Sequence, residues 1–557
     1  MTPATDGLAA TADLWWKNAV FYCLDVQTFA DSDGDGMGDF VGLTSRIDYL
    51  AGLGVTCIWL MPFYPTADKD DGYDICEHYG IDPRLGSFGD FTEFVRTARD
   101  RGIRVIADLV VNHTSDQHPW FQAARQSRES RFREFYVWRD EIPADGPTGV
   151  VFPGDQDGVW TYDHEAGQYY LHRFHRHQPD LNVASAAVRE EIRKLIGFWL
   201  AQGLSGFRID AVPFLLETDG NLDEMELDPH EYLRDLRAFV SRREGEGALL
   251  GEVNLPAGEQ RRYFGDEDGD ELHLLFDFLG MQATWLALAR GDAGPLVETI
   301  RRRPEIPHET AWASFLRNHD ELTLDKLTDQ ERETVFAAFG PDPGMQLYGR
   351  GLRRRAPTML QGDQRWIRMA YSLMFALPGS PTVFYGEEIG MAENLDVEDR
   401  LAVRTPMQWT GDESAGFSTA PADALVRPLP NDKRFNPSNV NVRDQRTDPD
   451  SLLNWFERLI RLRKETPEVG WGTCTVLDVD AAPVLALRHD WMDRTLITMH
   501  NLGRRPRTVK VSIDRGDELR DLLRTDAPIL VRGGRATVRM GPHDHRWLRV
   551  EGQRPGR

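Results

Sequence analysis

The residues best placed to do chemistry are acids at the ends of apolar runs. The run LSGFRIDAVPF, residues 204–214, carries Arg208 and Asp210 and breaks at Pro213. Side chains alternate along a strand, so Arg208 and Asp210 share one face. A carboxylate two residues from a guanidinium is expected to stay ionised at neutral pH, as a nucleophile must. Taken alone, such an Arg-x-Asp is more often a structural ion pair. Asp108 in IRVIADLVV, Glu252 in ALLGEVN and Asp320 after WASFLRN occupy comparable places, with His113 and His319 close by in sequence. Clustered like charges raise some carboxyl pKa values, so one acid can be held protonated while another stays ionised. Retaining glycoside chemistry needs that combination: one carboxylate attacks the anomeric carbon, one carboxyl group protonates the leaving oxygen, and the sugar passes through an oxocarbenium-like state.

Four acids distant in sequence can meet only if the fold brings strand ends together. AVFYCLDV, VTCIWLMP, IRVIADLVV, GFRID, ALLGEVN, LLFDFLG, WASFLRN and SPTVFYGEE are eight strand-like runs that alternate with helix-period segments, among them DFTEFVRTARDRG, where Asp90 is the expected N-cap and Gly102 the stop. Nearly continuous apolar strands between helices indicate parallel strands buried on both faces, and eight such units indicate a (β/α)8 TIM barrel, α/β in class, whose working face is the carboxyl end of its strands. Between His113 and about Val183 the rhythm lapses into an aromatic- and His-rich stretch, read as a domain inserted after the third strand. From about Trp471 short alternating runs mark a carboxy-terminal antiparallel β domain. The expected division is therefore a barrel over 13–112 and 184–470, an insertion over 113–183 and a β domain over 471–557.

The 557 residues exceed what one core normally serves, and 41% hydrophobic with 10% aromatic content is that of a globular protein. Acids outnumber bases 89 to 65, a formal net charge of -24, which argues against nucleic acid or an anionic membrane as partner. A neutral, hydroxyl-rich or cationic ligand fits better. No run is long and apolar enough to span a bilayer, and the amino terminus lacks the basic start and apolar core of a secretory signal, so a cytoplasmic location is the expectation. Cys23, Cys57, Cys76 and Cys474 show no CxxC spacing, and neither a disulfide framework nor a zinc site is indicated.

DSDGDGMGD, residues 31–39, offers carboxylates at Asp31, Asp33, Asp35 and Asp39, the Met37 carbonyl, and glycines that permit a tight turn. Hard cations such as Ca2+ bind such a set. It is not a full EF-hand, because flanking helices are not expected and the twelfth position is Gly42.

DLVVNHTSDQHPWF, GFRIDAVP, GEVN and FLRNHDE, with QPDLN in the insertion and DDGYDI after the second strand, resemble the motif set of glycoside hydrolase family 13, the α-amylase family, over nearly the whole chain and in the family's order. The resemblance implies a catalytic barrel with an inserted domain B and a β domain C. It makes Asp210 the nucleophile, Glu252 the general acid/base and Asp320 the acid that grips sugar hydroxyls, with His113 and His319 bonding the same sugar. It also implies a structural calcium on the acidic loop, a second one at Asn112, Asp180 and Glu217, and no organic cofactor.

QPDLN and RTPMQW resemble the branch holding oligo-1,6-glucosidases, α-glucosidases and trehalose synthases. In that branch the first Asp of DDGYD, here Asp70, pairs with the Arg of RTPMQW, here Arg404, to close the pocket behind a terminal glucose, and Tyr73 is the platform beneath it. GQYYLHRFHRHQPDLN, FLRNHDELTLDKLTD and AVRTPMQWTGDESAGFS are most similar to trehalose synthases, which interconvert maltose and trehalose, so the implied substrates are small α-glucosides. Phe214 stands where that group has Tyr, GEVN where it has AEAN, and Asp325 where it has Glu, which predicts more hydrolysis than is usual there. The alternatives are a hydrolytic α-glucosidase and a non-catalytic relative of the transporter-associated kind. The retained acids Asp210, Glu252 and Asp320 and the lack of a membrane span argue against the latter. A homo-oligomer remains open.

Overall fold

The structure is a computed structural model that describes residues 14–143, 149–154, 156–216 and 228–552. Eight strands close into a barrel: β1 (Phe21–Leu24), β2 (Cys57–Leu60), β3 (Arg104–Leu109), β4 (Gly206–Ile209), β5 (Ala248–Gly251), β6 (Leu274–Phe276), β7 (Ala311–Ser314) and β8 (Ser380–Phe384). All neighbours are parallel and follow chain order, with β8 pairing back to β1 through Phe21 and Thr382. All eight runs read as strands in the sequence are therefore barrel staves. They could be read because helices cover their outer faces and side chains fill the interior, leaving almost no exposed position to interrupt the apolar run.

Two glycines mark where staves begin. Gly206 has φ +144°, and a Cβ there would lie 2.0 Å from the Ala248 carbonyl oxygen. Gly379, just before β8, has φ +116°, and its Cβ would meet the Trp312 carbonyl oxygen at 2.1 Å. Only glycine lets these backbones approach so closely.

The helix after β2 runs Phe88–Asp100, and its N-cap is Ser87. Asp90, expected as the cap, is instead the N3 partner in a capping box: its carboxylate accepts from the Ser87 N–H at 2.8 Å. The Ser-x-x-Asp spacing is the signal that corrects the reading.

The insertion after β3 contains a helix, Pro119–Gln126, and a small antiparallel sheet with Gln168–Leu171 between Trp138–Arg139 and Trp160–Asp163. A bridge between His113 and Asp180 ties its exit to its entrance at the barrel mouth. Behind β7, Leu322–Thr323, Gln346–Leu347 and Gly351–Leu352 form a further three-stranded sheet over the same mouth. The carboxy-terminal part is a six-stranded antiparallel sheet with a two-stranded ribbon, Arg507–Ser512 and Arg535–Met540, packed on its own apolar cluster. Trp547 joins it to the barrel, donating its indole N–H to Ser372 at 2.9 Å.

Candidate active site

Asp108 lies within β3, Asp210 follows β4 and Glu252 follows β5, and Arg208 holds all three. Its Nη1 donates to Asp108 at 2.5 Å and to Asp210 at 2.6 Å, and its Nη2 donates to Glu252 at 2.7 Å. At 1% exposure this guanidinium has no solvent to share it with. The sequence pairs it with Asp210 alone, but parallel register sets Asp108 directly opposite Arg208, and Glu252 is the first residue beyond β5. Asp210 is followed by Ala211 in the left-handed region at φ +49°, which costs a non-glycine residue strain of about 1 kcal/mol or more. That turn lets the Ala211 N–H donate to Glu252 at 3.1 Å, so the strain is spent on orienting the second carboxyl group.

The electrostatics differ from a simple ion pair. Burial pushes Asp210 up to about 6 and Glu252 up to about 7, with Arg208 opposing the rise in both and neighbouring carboxylates adding to it. Asp108 is also raised by burial, to about 6, against the pull of Arg208. One guanidinium does not overcome the desolvation of the carboxylates it touches. Both carboxyl groups are thus raised above the ordinary carboxylate range, so a proton can be held on the pair near neutral pH. Asp320 is the exception: burial opposes its charge, but His319, Arg400 and Arg404 hold it well below the ordinary carboxylate range. Its Oδ1 accepts from Arg400 at 3.0 Å and Arg404 at 3.2 Å, and its Oδ2 lies 3.1 Å from His319 Nε2.

These groups border a cavity of about 480 Å³ at the carboxyl end of the barrel, within the roughly 300–1,000 Å³ usual for small-molecule sites. Asp70, Tyr73, His113, Asp210, Glu252 and Asp320 line it. His113 is kept neutral by burial, down to about 4, and its Nε2 lies 3.1 Å from the Tyr73 carbonyl oxygen. The Tyr73 hydroxyl sits 2.6 Å from His319 Nε2 and 3.2 Å from Asp108. His319 is fully buried and braces Tyr73 and Asp320 from behind.

The expected pairing of Asp70 with Arg404 does not occur. Arg404 Nε donates to the His319 carbonyl at 2.9 Å, and its fork reaches Asp71 and Asp320. Asp71 is shared with Arg427, which also meets Asp25 at 3.2 Å. Asp70 pairs instead with Arg400 at 2.5 Å and accepts from Gln178 at 2.8 Å. Arg400 thus bridges Asp70 and Asp320. Being four residues before Arg404 on the 3-10 turn Asp399–Val403, it was hidden by its neighbour's motif. DDGYD held the signal, because two adjacent acids call for two cations.

Phe214 also lines the cavity, with its ring edge-to-face on Phe174 at 5.5 Å between centroids. Asp325 accepts from Asn254 at 2.9 Å and Gln282 at 3.2 Å and pairs with Lys326 at 2.9 Å. The polar groups of this wall thus bond among themselves, and the Phe214 ring adds no hydrogen bond to them.

Away from the cavity, carboxylate oxygens of Asp31, Asp33 and Asp39 lie within 4.8 Å of one another. Backbone N–H groups pre-orient the loop: Asp31 accepts from Gly34 and Gly36 at 2.7 and 2.8 Å, and Asp39 from Gly42 at 2.7 Å. Three acids so held suit a hard cation. Asp35 is not in this trio; its carboxylate accepts from the Met37 N–H at 2.8 Å. A short helix, Phe40–Ser45, does follow the loop, with Asp39 as its N-cap, where none was expected. Asn112 donates to Asp180 at 3.3 Å, and Asp180 also accepts from the Arg173 N–H at 3.1 Å. Glu217 lies outside the described residues.

A parallel eight-stranded barrel with an insertion after β3, and three carboxyl groups raised by desolvation on one buried guanidinium at its mouth, define a glycoside-active barrel enzyme. The chain matches the family described as alpha amylase, catalytic domain, over residues 26–338 and 353–472, and it belongs to that family. It is 40% identical to the trehalose synthase of Pimelobacter sp. (strain R48) over 90% of this chain and 89% of that one. The trehalose synthase/amylase TreS of Mycolicibacterium smegmatis is 39% identical over 90% and 86%. A glucan 1,6-alpha-glucosidase of Streptococcus pneumoniae is further off, at 33% over 88% and 91%. Among solved structures, the trehalulose synthase MutB of Pseudomonas mesoacidophila MX-45 superposes with TM-score 0.76 at 26% identity, covering 96% of this chain and 99% of that one.

Proposed function

We propose that the protein is a retaining glucosylmutase that interconverts maltose and trehalose and releases part of its product as free glucose. The observation that carries this reading is the closed end of the cavity, where Arg400 joins Asp70 to Asp320 and Arg404 stands behind them. A dead end of half-buried ion pairs backed by the buried Arg404 accepts a terminal glucose and stops a chain from passing through. The identity to trehalose synthases supports the same reading.

In the first step the Asp210 carboxylate bonds to the anomeric carbon as the glycosidic bond breaks, and Glu252 gives its proton to the departing oxygen. Asp320, held ionised, accepts hydrogen bonds from ring hydroxyls and favours the positive charge that develops on the sugar. The freed glucose turns and offers its anomeric hydroxyl. Glu252, now a carboxylate, takes that proton as the new bond forms and Asp210 leaves. Water in place of glucose gives hydrolysis.

A hydrolytic α-glucosidase is the second reading. It is favoured by Phe214, which adds no hydrogen bond to the wall that must retain the free glucose. Incubating the enzyme separately with maltose, trehalose, sucrose and isomaltose and resolving the products decides between them. Trehalose from maltose, and maltose from trehalose, supports the mutase; glucose alone replaces it with the hydrolase.

The acidic loop would hold a structural Ca2+ through Asp31, Asp33 and Asp39, fixing the segment between β1 and the helix Phe40–Ser45. At the second set, Asn112 would have to turn its amide oxygen toward a shared ion. Among the described residues no helix is long and apolar enough to cross a membrane. The four cysteines are free thiols, which fits a reducing cytoplasm.

A further inference from the structure

Phe152 lies in the irregular part of the insertion, yet it is only 3% exposed and lines the cavity. Loops normally keep such rings only where packing holds them. Its ring stacks on His175 at 4.8 Å and lies 5.9 Å from Phe174, both in the insertion, and it meets Tyr348 of the 346–352 hairpin at 4.9 Å. The Arg400 guanidinium lies over the same ring at 5.3 Å. The backbone is pinned as well: the Phe152 N–H donates to Gln156 at 2.7 Å, and the Gln156 amide donates to the carbonyls of Arg173 and Phe174. On the hairpin side Tyr348 holds φ +54°, a strained conformation for a tyrosine, and Arg350 lines the cavity beside it, paired with Glu321 at 3.5 Å. One ring therefore spans the seam between the insertion and the hairpin and rests on the arginine that bridges Asp70 and Asp320.

We propose that Phe152 is a specificity-determining residue that seals this seam, limiting the substrate to disaccharides and keeping bulk water from the glucosyl-enzyme. The water-exclusion half rests on the mutase reading above; the length limit does not. On this proposal a longer malto-oligosaccharide extends from the cavity between the two loop systems, where the rings of Phe152 and Tyr348 meet.

The test compares wild type with Phe152→Ala, Phe152→Trp and Tyr348→Ala, measuring turnover of maltoheptaose relative to maltose and the glucose share of the products from maltose. Opening the seam with Phe152→Ala should raise the maltoheptaose-to-maltose ratio by about tenfold and the glucose share by a few-fold, sizes that follow from losing one aromatic contact and its exclusion of water. Tyr348→Ala should move both quantities the same way, and Phe152→Trp should keep them near wild type. If both alanine variants fold and leave the length ratio at its wild-type value, the proposal is overturned. An equal loss on both sugars with unchanged ratio means that Phe152 serves stability alone, and overturns it too. Should wild type make no trehalose, the mutase reading fails, while the length ratio still decides the role of Phe152.

Discussion

Asp210 and Glu252 share Arg208, but only Glu252 also accepts from the Ala211 N–H, and burial raises both carboxyl groups. Asp210→Asn should abolish turnover in a protein with unchanged melting, because the amide cannot bond to the anomeric carbon; ordinary turnover by a folded variant would refute its role. The pH profile follows with its sign. The proposed mechanism needs Asp210 ionised and Glu252 protonated, so kcat/KM should fall below about pH 6 and above about pH 7, a narrow bell whose limbs belong to the coupled pair. A rate that keeps rising through about pH 8 would show that the proton on Glu252 is not the one the reaction uses. At the outer wall, Phe214→Tyr introduces a hydroxyl able to hold the departing glucose. One such hydrogen bond is worth about 0.5–1.5 kcal/mol, so the trehalose-to-glucose ratio should rise a few-fold to tenfold, read by resolving both products over time.

At the scale of elements, the acidic loop 31–39 is separate from the chemistry. It follows β1, and its Asp39 caps the helix Phe40–Ser45, so a cation held there stiffens the entry to that helix rather than the cavity. Chelation should lower the melting temperature by several degrees and leave the activity of still-folded protein nearly intact, since a cation bound only by the native loop adds about 2.7 kcal/mol at a hundredfold excess over its dissociation constant. Equal melting with and without added Ca2+ would remove the site. The elements themselves were the most legible part of the sequence, because a stave buried on both faces cannot hide its apolar run. The cap of Phe88–Asp100 was misplaced by three residues because Ser87 and Asp90 each satisfy one half of the same box. The pairing of Asp70 was missed for a different reason. Arg400 and Arg404 sit on or beside one short turn, and which of them reaches Asp70 depends on Arg404 being tied to the His319 carbonyl, a contact between distant loops that no spacing encodes.

For the whole molecule, the barrel gathers four acids at one mouth, while the insertion and the hairpin behind β7 cover it. Asp210, Glu252 and Asp320 could be read because each follows an apolar run, whereas Asp108 is a lone acid inside one. The cover could not, since Phe152, Tyr348 and Arg400 come from three irregular segments and meet only in space. Mutase chemistry requires that glucose freed from maltose turn around inside this enclosure without leaving it. The most direct test is to let the enzyme act on unlabelled maltose in the presence of excess 13C-labelled glucose and to measure the label in the trehalose formed. The enclosure predicts trehalose that is almost entirely unlabelled; trehalose carrying the label in proportion to the free glucose, or no trehalose at all, would contradict it.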